Sequence, residues 1–201
     1  MIEIKHLVFD IGKVLIRYDR EIPYQRLIPD KQERLWFLDT VCTPSWNAEQ
    51  DRGRPWPEAE AELIAIHPDR KEHIRAFRKY WQEMIPGAIE GSVEILQEFI
   101  ERGMDVTLLT NFAADTFYES CQRFPFLQST RGVTVSAEIG LVKPEAEIFA
   151  HHCETFGLQP RATLLIDDDA NNVNSAVDAG WQAVLFTGVD ALKVELERRG
   201  L

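Results

Sequence analysis

The residues able to do chemistry together are Asp10, Thr110 with Asn111, Lys143, and the pair Asp167 and Asp168. Three of these groups end an apolar run: "HLVFD" stops at Asp10, "DVTLLTN" at Thr110 and Asn111, and "ATLLIDDD" at Asp167 and Asp168. If those runs lie side by side, three carboxylates and a hydroxyl meet in one crevice. Unpaired carboxylates at close range repel strongly, and a hard divalent cation relieves the repulsion. Mg2+ suits such an oxygen-only site, because it takes one or two carboxylates and keeps waters or a substrate phosphate as its other ligands. Asp also caps helices, which explains one strand-end carboxylate better than it explains three. Lys143 stands in "GLVKPEAEIF", just ahead of a helix signal, where its ammonium could reach the crevice beside an anion-attracting helix N-terminus.

The elements that must hold these residues follow from patterning. Short continuous apolar runs suit strands buried on both faces of a parallel sheet. A fourth run, "QAVLFT", ends at Thr187, and a weaker one occupies "GVTVS" from Gly132 to Ser136. Helical spacing fills the gaps. "SVEILQEFIERG" stops at Gly103, "PEAEIFAHHCETFG" opens on Pro144 and stops at Gly157, and "NNVNSAVDAG" stops at Gly180. Alternating strands and helices predict an α/β, doubly wound parallel-sheet (Rossmann-like) fold, with ligands beyond the carboxyl ends of the strands. One stretch breaks the rhythm. Residues 17–86 read as helical without a buried strand and carry Trp36, Trp46, Trp56 and Trp81. The expected organisation is therefore a core of residues 1–16 and 87–201 with a small helical subdomain, 17–86, inserted after the first strand.

Composition narrows the partners. The 201 residues are 45% hydrophobic, enough for a real core, and carry a net charge of −11. That charge, without a dense Lys/Arg block, argues against nucleic acid and anionic membranes. No apolar run is long enough to span a bilayer, and "MIEIKHLVFD" has no secretory pattern. Cys42, Cys121 and Cys153 are scattered and odd in number, which fits a reducing cytoplasm and a packing role. His151 and His152 are adjacent on a helix and diverge, so they read as surface residues. His6, His67 and His73 show no zinc spacing. The tryptophans read as core or interdomain contacts. Trp46 and Asn47 could instead line a substrate pocket, and Arg52 or Arg54 could meet a second anionic group.

In order along the chain, "FDIGKVL", "LLTN", "GLVKPEAEIF" and "IDDDANN" resemble the four motifs of the haloacid dehalogenase-like (HAD-like) hydrolase superfamily. "WNAEQDRGR", "SAEIGLVKPEAEIF" and "DDDANNVNSA" are similar to the branch holding α-glucose-1-phosphate phosphatases and the phosphatase domain of soluble epoxide hydrolases. The resemblance implies a helical cap at 17–86 and a role for each residue. Asp10 would attack phosphorus and form a phosphoaspartate. Mg2+ would be held by Asp10, the Gly12 carbonyl and Asp168, with Asp167 on metal-bound water or on the lysine. Thr110 and Asn111 would bind phosphoryl oxygens, and Lys143 would neutralise them and orient Asp10. Asp169 and Asn172 would shape the loop and cap its helix. The expected substrate is a small organic phosphate monoester, such as an aldose 1-phosphate.

One position departs from the pattern. Most phosphatases of the superfamily place a second Asp two residues after the nucleophile, as acid and then base; here that residue is Gly12. General acid–base help contributes about 10²–10⁴-fold to a rate. Three explanations stand: a substrate with a good leaving group, a replacement acid or water (Asp19 and Lys13 are near in sequence), or a weak phospholigand-binding relative. Dehalogenases of the superfamily also lack the second Asp. They need no metal, whereas Asp167 and Asp168 favour one here.

Overall fold

Apolar runs that end on polar residues become neighbouring parallel strands. A computed structural model describes residues 3–201 and contains β1 (His6–Phe9), β2 (Asp105–Thr110), β3 (Val133–Val135), β4 (Thr163–Asp167) and β5 (Gln182–Leu185). Their order is β3-β2-β1-β4-β5, all parallel, so the strand order reverses beside β1. Phe9 pairs with Ile166 and with Leu108, which puts Asp10 level with Asp167 and Leu109. The crevice at such a reversal is where this architecture binds ligands. Side chains alternate across the sheet. Leu7, Phe9, Leu108 and Ile166 enter the larger apolar cluster on one face, and Val8, Leu109 and Leu165 enter a smaller one on the other.

Between β1 and β2 lie α1 (Glu21–Leu27), α2 (Lys31–Trp36), α3 (Pro44–Asp51), α4 (Trp56–Ile66), α5 (Lys71–Lys79) and α6 (Glu90–Glu101). The first five form the helical segment that the sequence places at 17–86. The chain leaves and re-enters the sheet beside itself: the Arg17 N–H donates to the Gly87 carbonyl at 2.8 Å, and the Ile89 N–H to that of Leu15 at 2.8 Å. The segment packs on aromatic contacts among Trp46, Trp56, Phe77 and Trp81, and Trp81 continues to Phe112 of the core at 6.0 Å between centroids. Ion pairs rim this seam, Arg52 with Glu145 and Arg78 with Asp115 and Glu119. After β2 come α7 (Ala114–Arg123), α8 (Ser136–Ile139), α9 (Ala146–Phe156), α10 (Ala170–Asp178) and α11 (Val189–Glu197). No described helix is long and apolar enough to cross a membrane, and the three cysteines are unbridged.

Three expectations need correction. Pro144 does not open a helix: it follows a cis Lys143–Pro144 bond, and α9 begins at Ala146. Trp36 is no core residue, being 44% exposed beneath the Arg70 guanidinium. His152 is not on the surface. It is wholly buried on α9, one turn after Ile148, and its ring nitrogens meet the hydroxyls of Thr107 (2.9 Å) and Thr134 (2.7 Å) on β2 and β3.

Candidate active site

Lys143 is the centre of the strand-end cluster. Its ammonium lies 2.9 Å from Asp10 Oδ1 and 2.6 Å from Asp167 Oδ2, and donates to the Leu109 carbonyl at 2.9 Å. Three acceptors match the three protons of an ammonium. Asn111 positions the lysine through its main chain: its side-chain amide donates to the Lys143 carbonyl at 2.8 Å and accepts from the Lys143 N–H at 2.8 Å. This pair of bonds ties the residue after β2 to the loop before α9. Asp167 is held from the other side, where Oδ1 accepts from Asn172 Nδ2 (3.0 Å) and from the Asp169 N–H (2.9 Å). Asp169 itself caps α10 by accepting from the Asn171 N–H at 2.7 Å.

The charges do not balance. Asp10, Asp167 and Asp168 each offer an oxygen within 4.8 Å of the others, against one buried lysine. Burial pushes the Asp10 carboxyl up to about 7; the Asp167 charge adds to this, and Lys143 pulls against it. Burial raises Asp168 as well, although Lys13, whose ammonium is 3.8 Å away, opposes it. For Lys143 burial pulls downward, but the two carboxylates outweigh it and hold the ammonium above its usual range. A cluster that is short of positive charge and built of oxygen donors fits a hard divalent cation.

Past Asp10 the chain turns tightly. Ile11's carbonyl accepts from the N–H groups of Leu15 (2.9 Å) and Ile16 (3.0 Å), and Lys13 takes a left-handed φ of 57°. This turn presents Gly12 to a cavity of about 580 Å3, whose floor includes Asp10 and Asp168. The helical segment supplies the opposite wall, with Tyr18, Asn47 and Asp51. Asp51 closes α3 and accepts from Asn47 Nδ2 at 3.1 Å. Burial pushes its carboxyl up to about 7, with the nearby Asp10 charge adding and the Ala113 amide opposing.

Most residues singled out in the sequence converge here: Asp10, Gly12, Asn111 and Asp168 line the cavity, and Lys143 and Asp167 lie buried against Asp10. Thr110 is buried and does not line it. Asn111's amide is taken up by Lys143. Arg52 and Arg54 face away, bonded to Glu145 and Glu62. Asn47 does line the cavity, whereas Trp46 is buried with its indole N–H on the Ala59 carbonyl. Asp51 escaped the sequence reading. Its one signal is the Asn47–Asp51 spacing, which places both on one helix face.

A family model described as haloacid dehalogenase-like hydrolase matches residues 55–186, which hold Thr110, Lys143, Asp167 and Asp168. A sesquiterpene phosphatase of Aspergillus oryzae is 26% identical over 199 residues, covering 98% of this chain and 96% of its own. Among solved structures, a HAD family enzyme of Bacteroides thetaiotaomicron, in complex with magnesium and inorganic phosphate, superposes with a TM-score of 0.72 at 24% identity, covering 92% of this chain and 95% of the other. An L-2-haloacid dehalogenase of Xanthobacter autotrophicus gives 0.66 at 17%, covering 97% and 83%.

Proposed function

We propose that this chain, which belongs to the haloacid dehalogenase-like hydrolase family, is a Mg2+-dependent phosphatase acting on a small organic phosphate monoester through a phosphoaspartate at Asp10. The observation that carries this reading is the surplus of carboxylate: three acids lie within 4.8 Å of one another, and the one buried lysine bridges only Asp10 and Asp167. Asp168 has no closer cation among the described residues than the exposed Lys13 at 3.8 Å. A site that displaces halide from carbon gains nothing from such a surplus, so the dehalogenase alternative is the weaker. The magnesium and phosphate in the Bacteroides relative and the phosphatase from Aspergillus support the same choice.

Residues 17–86 serve as the cap over a core of 1–16 and 87–201. Asp10 Oδ1 is paired with Lys143, and Asp10 also lines the cavity, so its other oxygen is the one available to phosphorus. Asp167 is saturated by Lys143, Asn172 and the Asp169 amide, so Asp168, Asp10 and the Gly12 carbonyl are the freer ligands for Mg2+, with Asp167 behind them. When bound, the ion neutralises phosphoryl charge and keeps Asp10 ionised. Asp10 attacks phosphorus, Lys143 supplies positive charge at the phosphoryl oxygens, and Thr110 closes the strand end behind them. Asn111 acts by placing Lys143. Positioning and charge stabilisation are most of what phosphoryl transfer requires. An aldose 1-phosphate is a substrate of suitable size for the cavity, and the unbridged cysteines suit a reducing cytoplasm.

The test is hydrolysis of 4-nitrophenyl phosphate by the wild type with Mg2+, with EDTA, and by Asp10→Asn. Turnover only in the first arm is expected. Metal-independent halide release from a 2-haloacid would overturn the proposal in favour of a dehalogenase, and ester binding without turnover would replace it with a phospholigand-binding protein.

A further inference from the structure

We propose that Asp51 performs the acid–base work that Gly12 cannot. As Asp10 bonds to phosphorus and the ester P–O bond breaks, the Asp51 carboxylic acid gives its proton to the departing oxygen. Its carboxylate then takes a proton from the water that attacks phosphorus, which breaks the P–O bond to Asp10 and returns both residues to their starting states. This rests on the phosphatase reading above.

Geometry selects Asp51. It shares the cavity with Asp10 and Gly12. Although it belongs to the helical segment, it is fastened to the core. Its carbonyl accepts from the Ser136 hydroxyl, and the same hydroxyl accepts the Phe112 N–H at 3.0 Å, two residues past β2. Arg52 chelates Glu145 with bonds of 2.7 and 3.0 Å. Gly53, at φ +107°, lies so close to Ala137 that a Cβ would stand 2.9 Å from the Ala137 carbonyl oxygen. The backbone around Asp51 is thus set by the loop after β2 and by α8, the same structure that sets Lys143 through Asn111. Asn47 then orients the carboxylate.

Other charged groups facing the cavity belong to pairs or caps, Asp169 among them as the cap of α10. Asp19 accepts the Glu21 N–H at 2.8 Å, Glu21 pairs with Arg34, and Arg20 is bound to Asp39 and the Leu38 carbonyl. Lys13 faces Asp168. Burial drives the Tyr18 phenol well above its ordinary range, so it could donate a proton but not serve as a base. Asp51, a carboxyl facing the cavity whose affinity for a proton burial raises, can serve as both acid and base.

The experiment compares kcat/KM for an alkyl phosphate, whose leaving group needs a proton, with that for 4-nitrophenyl phosphate, whose leaving group does not. In Asp51→Asn the alkyl value should fall about 10²–10⁴-fold, while the aryl value falls less than about tenfold and aryl turnover shows a burst as phosphoenzyme accumulates. Asp51→Ala should give the same ratio, and a ratio is unaffected by the fraction of enzyme folded. Gly12 provides the rescue, since a Cβ there meets nothing within 4 Å. Gly12→Asp placed in Asp51→Asn should recover at least about tenfold of the alkyl rate. Equal losses on both esters, or no loss, would overturn the role of Asp51. A wild type that turns over neither ester with Mg2+ would instead overturn the phosphatase reading itself.

Discussion

Two buried polar knots sit on this sheet, and they bury their polarity in opposite ways. At the strand ends, Asp10, Asp167 and Lys143 are ions packed into a site with more negative than positive charge. Further back, Thr107, His152 and Thr134 join α9 to β2 and β3 through neutral hydrogen bonds. Burial, with the positive charge of neighbours including Lys143, drives the His152 ring down to about 3. The neutral knot is complete in itself. The charged one is left with a surplus of negative charge, and it opens to a cavity. Incomplete satisfaction marks the working site, whereas full satisfaction marks structure.

Breaking the charged knot should have the largest effects. On the phosphatase reading Asp10→Asn removes the proposed nucleophile, and kcat should fall by about 10⁴-fold or more in a steady-state phosphatase assay. Lys143→Met leaves Asp10 and Asp167 buried without their cation, so urea unfolding in EDTA at pH 8 should show a loss of about 3–5 kcal/mol.

The neutral knot responds to pH. The folded His152 ring stays neutral down to about 3, while the unfolded ring titrates near the ordinary imidazole value of 6.5. Between those values the unfolded chain binds more protons, so stability falls as pH is lowered. His152→Gln should lack about 2 kcal/mol of the wild-type decline between pH 7.5 and 5, measured by urea unfolding. Activity at pH 7.5 should survive the change, which separates this knot from the other. The smallest effect lies at the rim of the seam. Arg52→Ala should cost under about 1 kcal/mol, and less at high salt, since Arg52 and Glu145 are both partly exposed.

The charged knot was legible in the sequence because each of its acids ends an apolar run, and a parallel sheet aligns run ends. Lys143 was legible from its place before a helix, although α9 starts two residues later than Pro144 suggested. His152 was misread because only its neighbour His151 was weighed. Its spacing from Ile148 and Phe149 puts it on the buried face of α9, where a histidine can sit once threonines from two strands meet it. Asp51 was beyond reach for a different reason. A polar residue ending an exposed-looking helix faces the cavity only after α3 docks against α8 and the loop past β2, and docking of that kind leaves no local periodicity. Asn111 shows the same limit: its position was legible, but its bonding to the Lys143 main chain was not.

That bonding has a consequence for affinity. A lysine side chain carries considerable rotational freedom, which a binding site must suppress at the moment of capture or beforehand. Here Asn111, Leu109, Asp10 and Asp167 immobilise Lys143 as the chain folds. On the phosphatase reading, an arriving phosphate ester would thereby be spared an ordering cost of about 0.5–1.5 kcal/mol, equivalent to roughly 2- to 13-fold in dissociation constant. The rung between Asn111 and Lys143 would in this sense favour tight binding through rigidity alone.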